Sequence, residues 1–496
     1  MYLRLKHYKH ISGDIMNTNL NKNKENIISA ILVILGAFVY ISLVLNNNVW
    51  LDEAFTASLV RTDMAGVLSR SMADTLPPLY NIILKLSTDI FGYTVPVMKL
   101  TSAVPMILAM VISATVVRKR FGFLVSTLLT LCLFTMPNLL FYGVEIRMYS
   151  LGFLFAFGSA VFSYECIKES NKFNWLAFTL FSVLAGYSHH FAFVSVGFVY
   201  LFLLLYYFFF ERTNIKRWFL CLLATFILYF PCLVITLKQF KSVSGYFSMP
   251  EITLSVFIKY ARFPYTVGNP VLSILLTLLM FILVIFNIVS IIKNPKDADL
   301  YYPLCLFISY YGVLIFGTLV SKVMTANIFV DRYLLFSSSF LWMFFSIEIA
   351  KLCNVIKGKF KYGYISIVIF VLLCGVVGYM KEYHIEYDTN PDNMLNTLDS
   401  KINDGDILYT IEDNEEMAFC LPFYYEGLTN YEELSDAIAA ADSNNSALWL
   451  TIIDYDYKDY DFSELEKYNL KANEIGTFTF DRYEYKMYEL TKYTNF

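Results

Sequence analysis

The chain has 496 residues, 57% of them hydrophobic and 16% charged, with a formal net charge of −4; soluble domains carry about 25% charged residues. With a mean hydropathy of +0.53, this composition excludes an ordinary soluble globule. The net acidity, gathered toward the C-terminus, leaves no nucleic-acid partner to expect.

The apolar residues are bunched in blocks of roughly 20, the length a bilayer demands of a helix. The basic, polar segment 1–26 reads as a cytoplasmic tail. The first apolar block, 27–45, lacks a small-residue cleavage site and reads as a retained signal-anchor. Further spans are expected near 101–117, 122–141, 148–166, 174–188, 191–210, 218–236, 271–292, 300–320, 333–350 and 364–380, about eleven in all. This assignment places the basic clusters Arg118-Lys119-Arg120, 168–172, 212–217, 293–296 and 351–361 on one side, as the positive-inside rule requires. It holds only if the segment 77–93 stays out of the hydrocarbon. That segment opens with Pro77-Pro78 and carries Lys85 and Asp89, and it reads as a helix lying along the outer interface.

The domain plan is then a transmembrane region over 27–380, with a long first outer loop over 46–100, followed by 381–496 outside the membrane. In this last part 406–410, 447–453, 476–480 and 485–490 read as short strands, with a helical stretch over 431–441. Together they suggest a small extracytoplasmic α/β domain. The fold class is a polytopic α-helical membrane protein with that appendage. Eight cysteines show neither a disulfide framework nor metal-ligand spacing.

Ionisable residues gather at the outer helix ends: Asp52, Glu53 and Asp74 in the first loop, then Glu145 and Arg147, His189-His190, and Asp331-Arg332. A carboxylate pair opposite two arginines suits a phosphorylated donor meeting a nucleophile that needs a general base. Asp52 and Glu53 also suit the first turn of a following helix, and both readings stand at this point. Arg147 and Arg332 present planar forks that match phosphate oxygens, while Glu145 and Asp331 offer each a local ion pair instead. Adjacent histidines on a helix point about 100° apart, so His189 and His190 favour hydrogen bonding over a shared metal, and no metal or cofactor is expected.

Four ordered motifs make the sequence less anonymous: Trp50-Leu51-Asp52-Glu53-Ala54-Phe55-Thr56, Asp74-Thr75-Leu76-Pro77-Pro78-Leu79-Tyr80, Glu145-Ile146-Arg147-Met148-Tyr149-Ser150-Leu151, and Tyr187-Ser188-His189-His190-Phe191. In order and spacing they resemble the bacterial branch of the GT-C glycosyltransferases (glycosyltransferase family 39-like), related to the protein O-mannosyltransferases and the lipid A aminoarabinose transferase. The resemblance covers roughly residues 30 to 350. It implies a hexosyl- or pentosyltransferase at the outer face of a bacterial plasma membrane, using a polyprenyl-phosphate sugar and a cell-envelope acceptor, whether polysaccharide, lipid or protein.

By the same resemblance Asp52 is the base or acceptor-orienting carboxylate and Glu53 its acidic partner. Asp74, Tyr80, Glu145, Arg147, Tyr149, His189, His190, Arg332 and Tyr333 line the substrate site. Relatives similar to the aminoarabinose transferase often have Lys before the Pro-Pro pair, where Leu76 stands here. A transporter or flippase for a lipid-linked glycan is the competing reading, and it predicts ionisable or helix-breaking residues at mid-membrane.

Overall fold

The computed structural model describes residues 22–243, 251–324, 327–355, 360–388, 391–411, 415–453, 462–480 and 483–493. In chain order the helices are α1 Lys22–Val44, α2 Leu51–Leu59, α3 Met64–Ala73, α4 Leu79–Phe91, α5 Val95–Ile112, α6 Phe123–Thr135, α7 Pro137–Val144, α8 Tyr149–Lys168, α9 Lys172–Ser188 and α10 His190–Phe209. There follow α11 Ile215–Val243, α12 Leu254–Arg262, α13 Pro270–Lys293, α14 Tyr301–Val323, α15 Leu335–Val355, α16 Phe360–Asp388, α17 Asp392–Leu398, α18 Glu415–Tyr424, α19 Leu434–Asn444 and α20 Ser463–Lys467. A π-helical turn, Ser113–Val117, carries α5 on to Phe121.

Among the described residues nine helices are long and apolar enough to cross a membrane, and a bent pair, α6 with α7, makes a tenth. The remaining expected span is α9, helical over 17 residues. Each of the eleven apolar segments read from the sequence therefore falls on helix, and the chain is a multi-pass membrane protein. The segment expected to lie along the interface is α4, whose 13 residues reach only about 20 Å. Residues 1–21 of the expected cytoplasmic tail lie outside the described residues.

Two compact units make up the chain, and they do not follow its order. The first comprises Met1–Ser42, Leu68–Ile82 and Leu100–Met380; the second comprises Leu43–Val67, Ile83–Lys99 and Lys381–Phe496.

In the first unit α8 and α15 are almost wholly buried, with α6, α9, α10 and α14 packed around them. Small residues permit this closeness. A Cβ on Gly152 would lie 2.6 Å from the Phe336 ring, and one on Gly158 2.2 Å from the Phe181 ring. The outer helices instead expose apolar rows, such as Leu220, Leu223 and Ile227 on α11 and Ile274, Leu278 and Ile285 on α13, which suits hydrocarbon. The bend of 60° between α6 and α7 has a local cause. Pro137 lacks an N–H and leaves the carbonyl four residues back without its helical partner. That carbonyl, of Leu133, accepts from the Tyr40 hydroxyl at 2.8 Å.

The second unit holds a five-stranded sheet of β1 Ile407–Thr410, β2 Thr429–Tyr431, β3 Leu448–Ile453, β4 Leu470–Phe480 and β5 Tyr483–Lys492, in the order β2-β1-β3-β5-β4. β2, β1 and β3 run parallel, with α18 and α19 as their crossovers, and β5 and β4 close the sheet antiparallel. β1 and β3 are buried along their full length, as central parallel strands are. Two sequence boundaries are corrected here. Tyr431, expected in a helix, ends β2 and pairs with Tyr409; the helix starts at Leu434, after the edge strand has satisfied β1. β4 starts at Leu470 rather than Gly476, and a bulge between Glu474 and Gly476 breaks the alternation that marks a strand.

Candidate active site

In the second unit, α2 begins at Leu51 directly after an irregular connector, residues 45–50. Its first turn carries Asp52 and Glu53 in different environments. Glu53 is 3% exposed, and its Oε2 accepts the Trp50 backbone N–H at 3.2 Å, closing the start of the helix. Asp52 is half-exposed. Glu53 thus builds the helix start, while Asp52 on the same turn keeps part of its surface exposed and buries its Oδ2.

Helix α18 packs against α2. Phe419 meets Phe55 edge-on at 6.2 Å, and the Tyr424 hydroxyl donates to the Asn47 carbonyl at 2.6 Å. Arg61 stacks over Tyr93 at 5.1 Å and Phe423 at 5.6 Å and donates to the Phe423 carbonyl at 2.5 Å. Burial pushes the Tyr93 phenol up to about 12 despite Arg61 beside it; its hydroxyl donates to the Ala57 carbonyl at 2.8 Å.

The first unit gathers a second constellation. Glu145 caps the end of α7, Arg147 follows in the break before α8, and Arg332 lies in the 3-10 turn Asp331–Leu334 that leads into α15. The Arg332 guanidinium lies 6.0 Å from the centre of the Tyr149 ring, and Arg147, Tyr333 and Glu145 lie within electrostatic reach of the same phenol. His189, 1% exposed, separates α9 from α10 and caps the latter, its Nδ1 accepting the Phe191 N–H at 3.0 Å. Its ring packs on Tyr333 at 4.7 Å and Phe336 at 4.6 Å. Burial first, then His190, Arg147 and Arg332, hold it well below the usual histidine range. With Nδ1 accepting the Phe191 N–H, the neutral ring carries its proton on Nε2, a buried atom with no hydrogen-bond partner among the described residues.

His190 sits against the Thr75 carbonyl, Nε2 at 3.1 Å, and Gln239 donates to the carbonyls of Ser71 and Leu76 at 3.2 and 3.1 Å. These bonds fix the strip that carries Asp74, which is half-exposed. Thr75, Leu76, His189, His190, Tyr333 and Phe191 help to line a mostly apolar cavity of about 400 Å³. Tyr80 lies elsewhere: it is buried, and its hydroxyl is 2.6 Å from Ser102 on α5, a helix-packing position. Among the described residues no group of three or more histidine, cysteine or acidic side chains is placed to hold a metal ion.

Sequence reasoning passed over two features. Lys99 is buried on α5 and paired with Glu386. Glu348, buried on α15, accepts from Asn287 at 3.1 Å and Lys351 at 2.8 Å. Both lie within apolar stretches, where a single charge is itself the available signal.

A unit of apolar helices with polar clusters at their ends, and a second unit with a small mixed sheet, give the chain a fold that solved membrane-enzyme structures share. The solved structure of ArnT from Cupriavidus metallidurans in the apo state is similar with a TM-score of 0.64 at 11% identity, covering 92% of this chain and 97% of that one. ArnT bound to undecaprenyl phosphate gives 0.63 at 12% identity over the same shares. The Archaeoglobus fulgidus oligosaccharyltransferase in complex with Zn and sulfate gives 0.50 at 9% identity, covering 85% of this chain and 67% of that one. No protein-family model matches the sequence, and no curated protein matches it significantly.

Proposed function

We propose that the chain is a membrane glycosyltransferase that moves a sugar from a polyprenyl-phosphate donor to a cell-envelope acceptor at the outer face of a bacterial plasma membrane. The observation that carries this reading is the joining of an anion-binding cluster to an apolar cavity. His189 and Tyr333 belong to both: they lie with Arg147 and Arg332 and also line the cavity of about 400 Å³. A ligand with a phosphate at one end and an isoprenoid chain at the other matches that pair of surfaces. ArnT, whose fold the chain shares, has been solved with undecaprenyl phosphate, which supports the same donor class.

In this reading the arginines and the His189 Nε2–H stabilise charge as it grows on the phosphate leaving group. The bond from the anomeric carbon to the phosphate oxygen breaks, and a bond from that carbon to the acceptor oxygen forms. Asp52 takes the acceptor proton or orients the acceptor hydroxyl, while Glu53 holds the helix that presents Asp52. Asp74, Glu145 and Tyr149 complete the polar lining of the cluster in the first unit, and 381–496 stands on the outer side.

The test is transfer from a panel of radiolabelled polyprenyl-phosphate hexoses and pentoses to membrane extract, by purified parent and Asp52→Asn. Incorporation by the parent and its loss in the variant support the assignment. Equal incorporation by the two removes Asp52 from the chemistry, and a topology map placing the C-terminus in the cytoplasm removes the outer-face reading.

A further inference from the structure

Lysine is almost never fully buried unless paired, and Lys99, 1% exposed, belongs to none of the roles above. Its ammonium on α5 is paired with the Glu386 carboxylate on α16 and donates to Asn46 Oδ1 at 3.1 Å. The same Oδ1 accepts the Asn48 backbone N–H at 2.9 Å, and the Asn48 side-chain amide donates to the Ile385 carbonyl of α16 at 3.2 Å. The Tyr424 hydroxyl holds the Asn47 carbonyl at 2.6 Å, the Cys420 thiol approaches the Val49 carbonyl at 3.5 Å, and the Trp50 N–H meets Glu53 at 3.2 Å.

Five consecutive residues without regular secondary structure, Asn46 to Trp50, are thus each anchored, and the anchors outside the connector come from α2, α5, α16 and α18. The buried charges are uneven: Glu53, Glu382 and Glu386 lie within reach of the one ammonium. A buried ion pair is weak evidence of stability, and its best-attested use is to select one arrangement of the chain.

We propose that Lys99 is a positioning residue for the transfer reaction. Through Glu386 and Asn46 it fixes the 46–50 connector, and with it the direction in which Asp52 leaves the start of α2. The proposal rests on Asp52 being the working carboxylate. It makes the C-terminal part of the chain, through Glu386, Cys420 and Tyr424, a component of the site. Lys99 from α5 and the Tyr424 hydroxyl from α18 lie within electrostatic reach of Glu53, and Glu382 and Glu386 from α16 lie within reach of Lys99.

The experiment compares Lys99→Met, Lys99→Arg and the double variant Lys99→Met, Glu386→Leu with the parent. The double variant exchanges the ion pair for apolar side chains, a replacement that buried pairs often tolerate. Steady-state transfer is measured alongside hydrogen–deuterium exchange of the 46–53 amides. Lys99→Met should lower kcat by about tenfold or more while KM for the donor stays within about twofold.

Lys99→Arg should recover most of kcat, the double variant should stay folded but slow, and the 46–53 amides should exchange faster in both Met variants. Parent-level kcat in Lys99→Met, or unchanged exchange over 46–53, overturns the proposal. An Asp52→Asn variant that transfers at the parent rate overturns the catalytic reading of Asp52 instead, and the exchange measurement still decides whether Lys99 fixes the connector.

Discussion

Glu53 accepts the Trp50 backbone N–H at 3.2 Å, and this bond sets two neighbouring carboxylates in different surroundings. The orphan donors of a helix start need an acceptor, and a buried Glu at the third helical position supplies it, leaving Asp52 on the partly exposed side of the same turn.

Glu53→Gln keeps an acceptor for the Trp50 N–H and should cost little stability, whereas Glu53→Ala removes it and should cost about 1 kcal/mol. Asp52→Asn should leave the melting temperature at the parent value and lower transfer by about 10²–10⁴-fold. Melting curves and initial rates on the three variants check both halves. Loss of activity together with stability in Asp52→Asn would make Asp52 a structural residue.

His189 sets a pH dependence whose sign follows from its environment. Its folded-state pKa lies below the unfolded value of about 6.5 because of burial, His190, Arg147 and Arg332. Its contribution is therefore fully present above about pH 6.5 and is lost as the pH falls toward the folded value, since the unfolded chain then binds the extra proton. The apparent melting temperature of the parent should fall as the pH drops below about 6.5. His189→Asn retains a side-chain acceptor for the Phe191 N–H without titrating, so its curve should be flatter. Parallel curves for the two would contradict the neutral, buried imidazole.

Arg61 satisfies the Phe423 carbonyl and stacks between two rings. Arg61→Met fills similar space but leaves the carbonyl without that donor and removes the cation–π contacts, and should cost about 1–3 kcal/mol. Hydrogen exchange should show α18 loosening before the sheet does. Uniform loosening of α18 and β1 together would mean that Arg61 acts on the whole unit.

Glu348 has no exposure and draws one of its two donors from Lys351. Lys351→Met leaves a buried carboxylate without its counter-charge and should destabilise by about 3–5 kcal/mol. Restoring neutrality with Lys351→Met, Glu348→Gln should recover most of the loss, because the amide of Gln can still meet Asn287. Thermal unfolding of the detergent-solubilised variants reads the difference, and equal melting temperatures for the single variant and the parent would show water reaching the site.

Much of the membrane part was legible in the chain. Blocks of about 20 apolar residues have one stable form in a bilayer, so the eleven segments could be placed by counting. The basic clusters then gave an expected order of the loops by a rule that needs no contacts. The strands were legible where alternation was regular, as at β1 and β3, and blurred at β4, where a bulge interrupts it. Tyr80 shows the limit of a motif: it lies within a recognisable run, yet its hydroxyl serves a helix contact with Ser102.

The sequence by itself determined that this chain spans a membrane many times, that a sheet domain follows, and that Asp52, Glu53, Arg147, His189 and Arg332 are the residues to ask about. Tertiary structure decided that Glu53 closes the start of α2, that residues 43–67 and 83–99 share a compact unit with 381–496 while 68–82 belongs to the other, and that Lys99 meets Glu386. The physical reason is range. Hydrophobic burial of a span and turn chemistry act over neighbouring residues and leave a periodic trace. The Lys99 pair joins positions 287 apart, and no local pattern records which buried charge will find which partner.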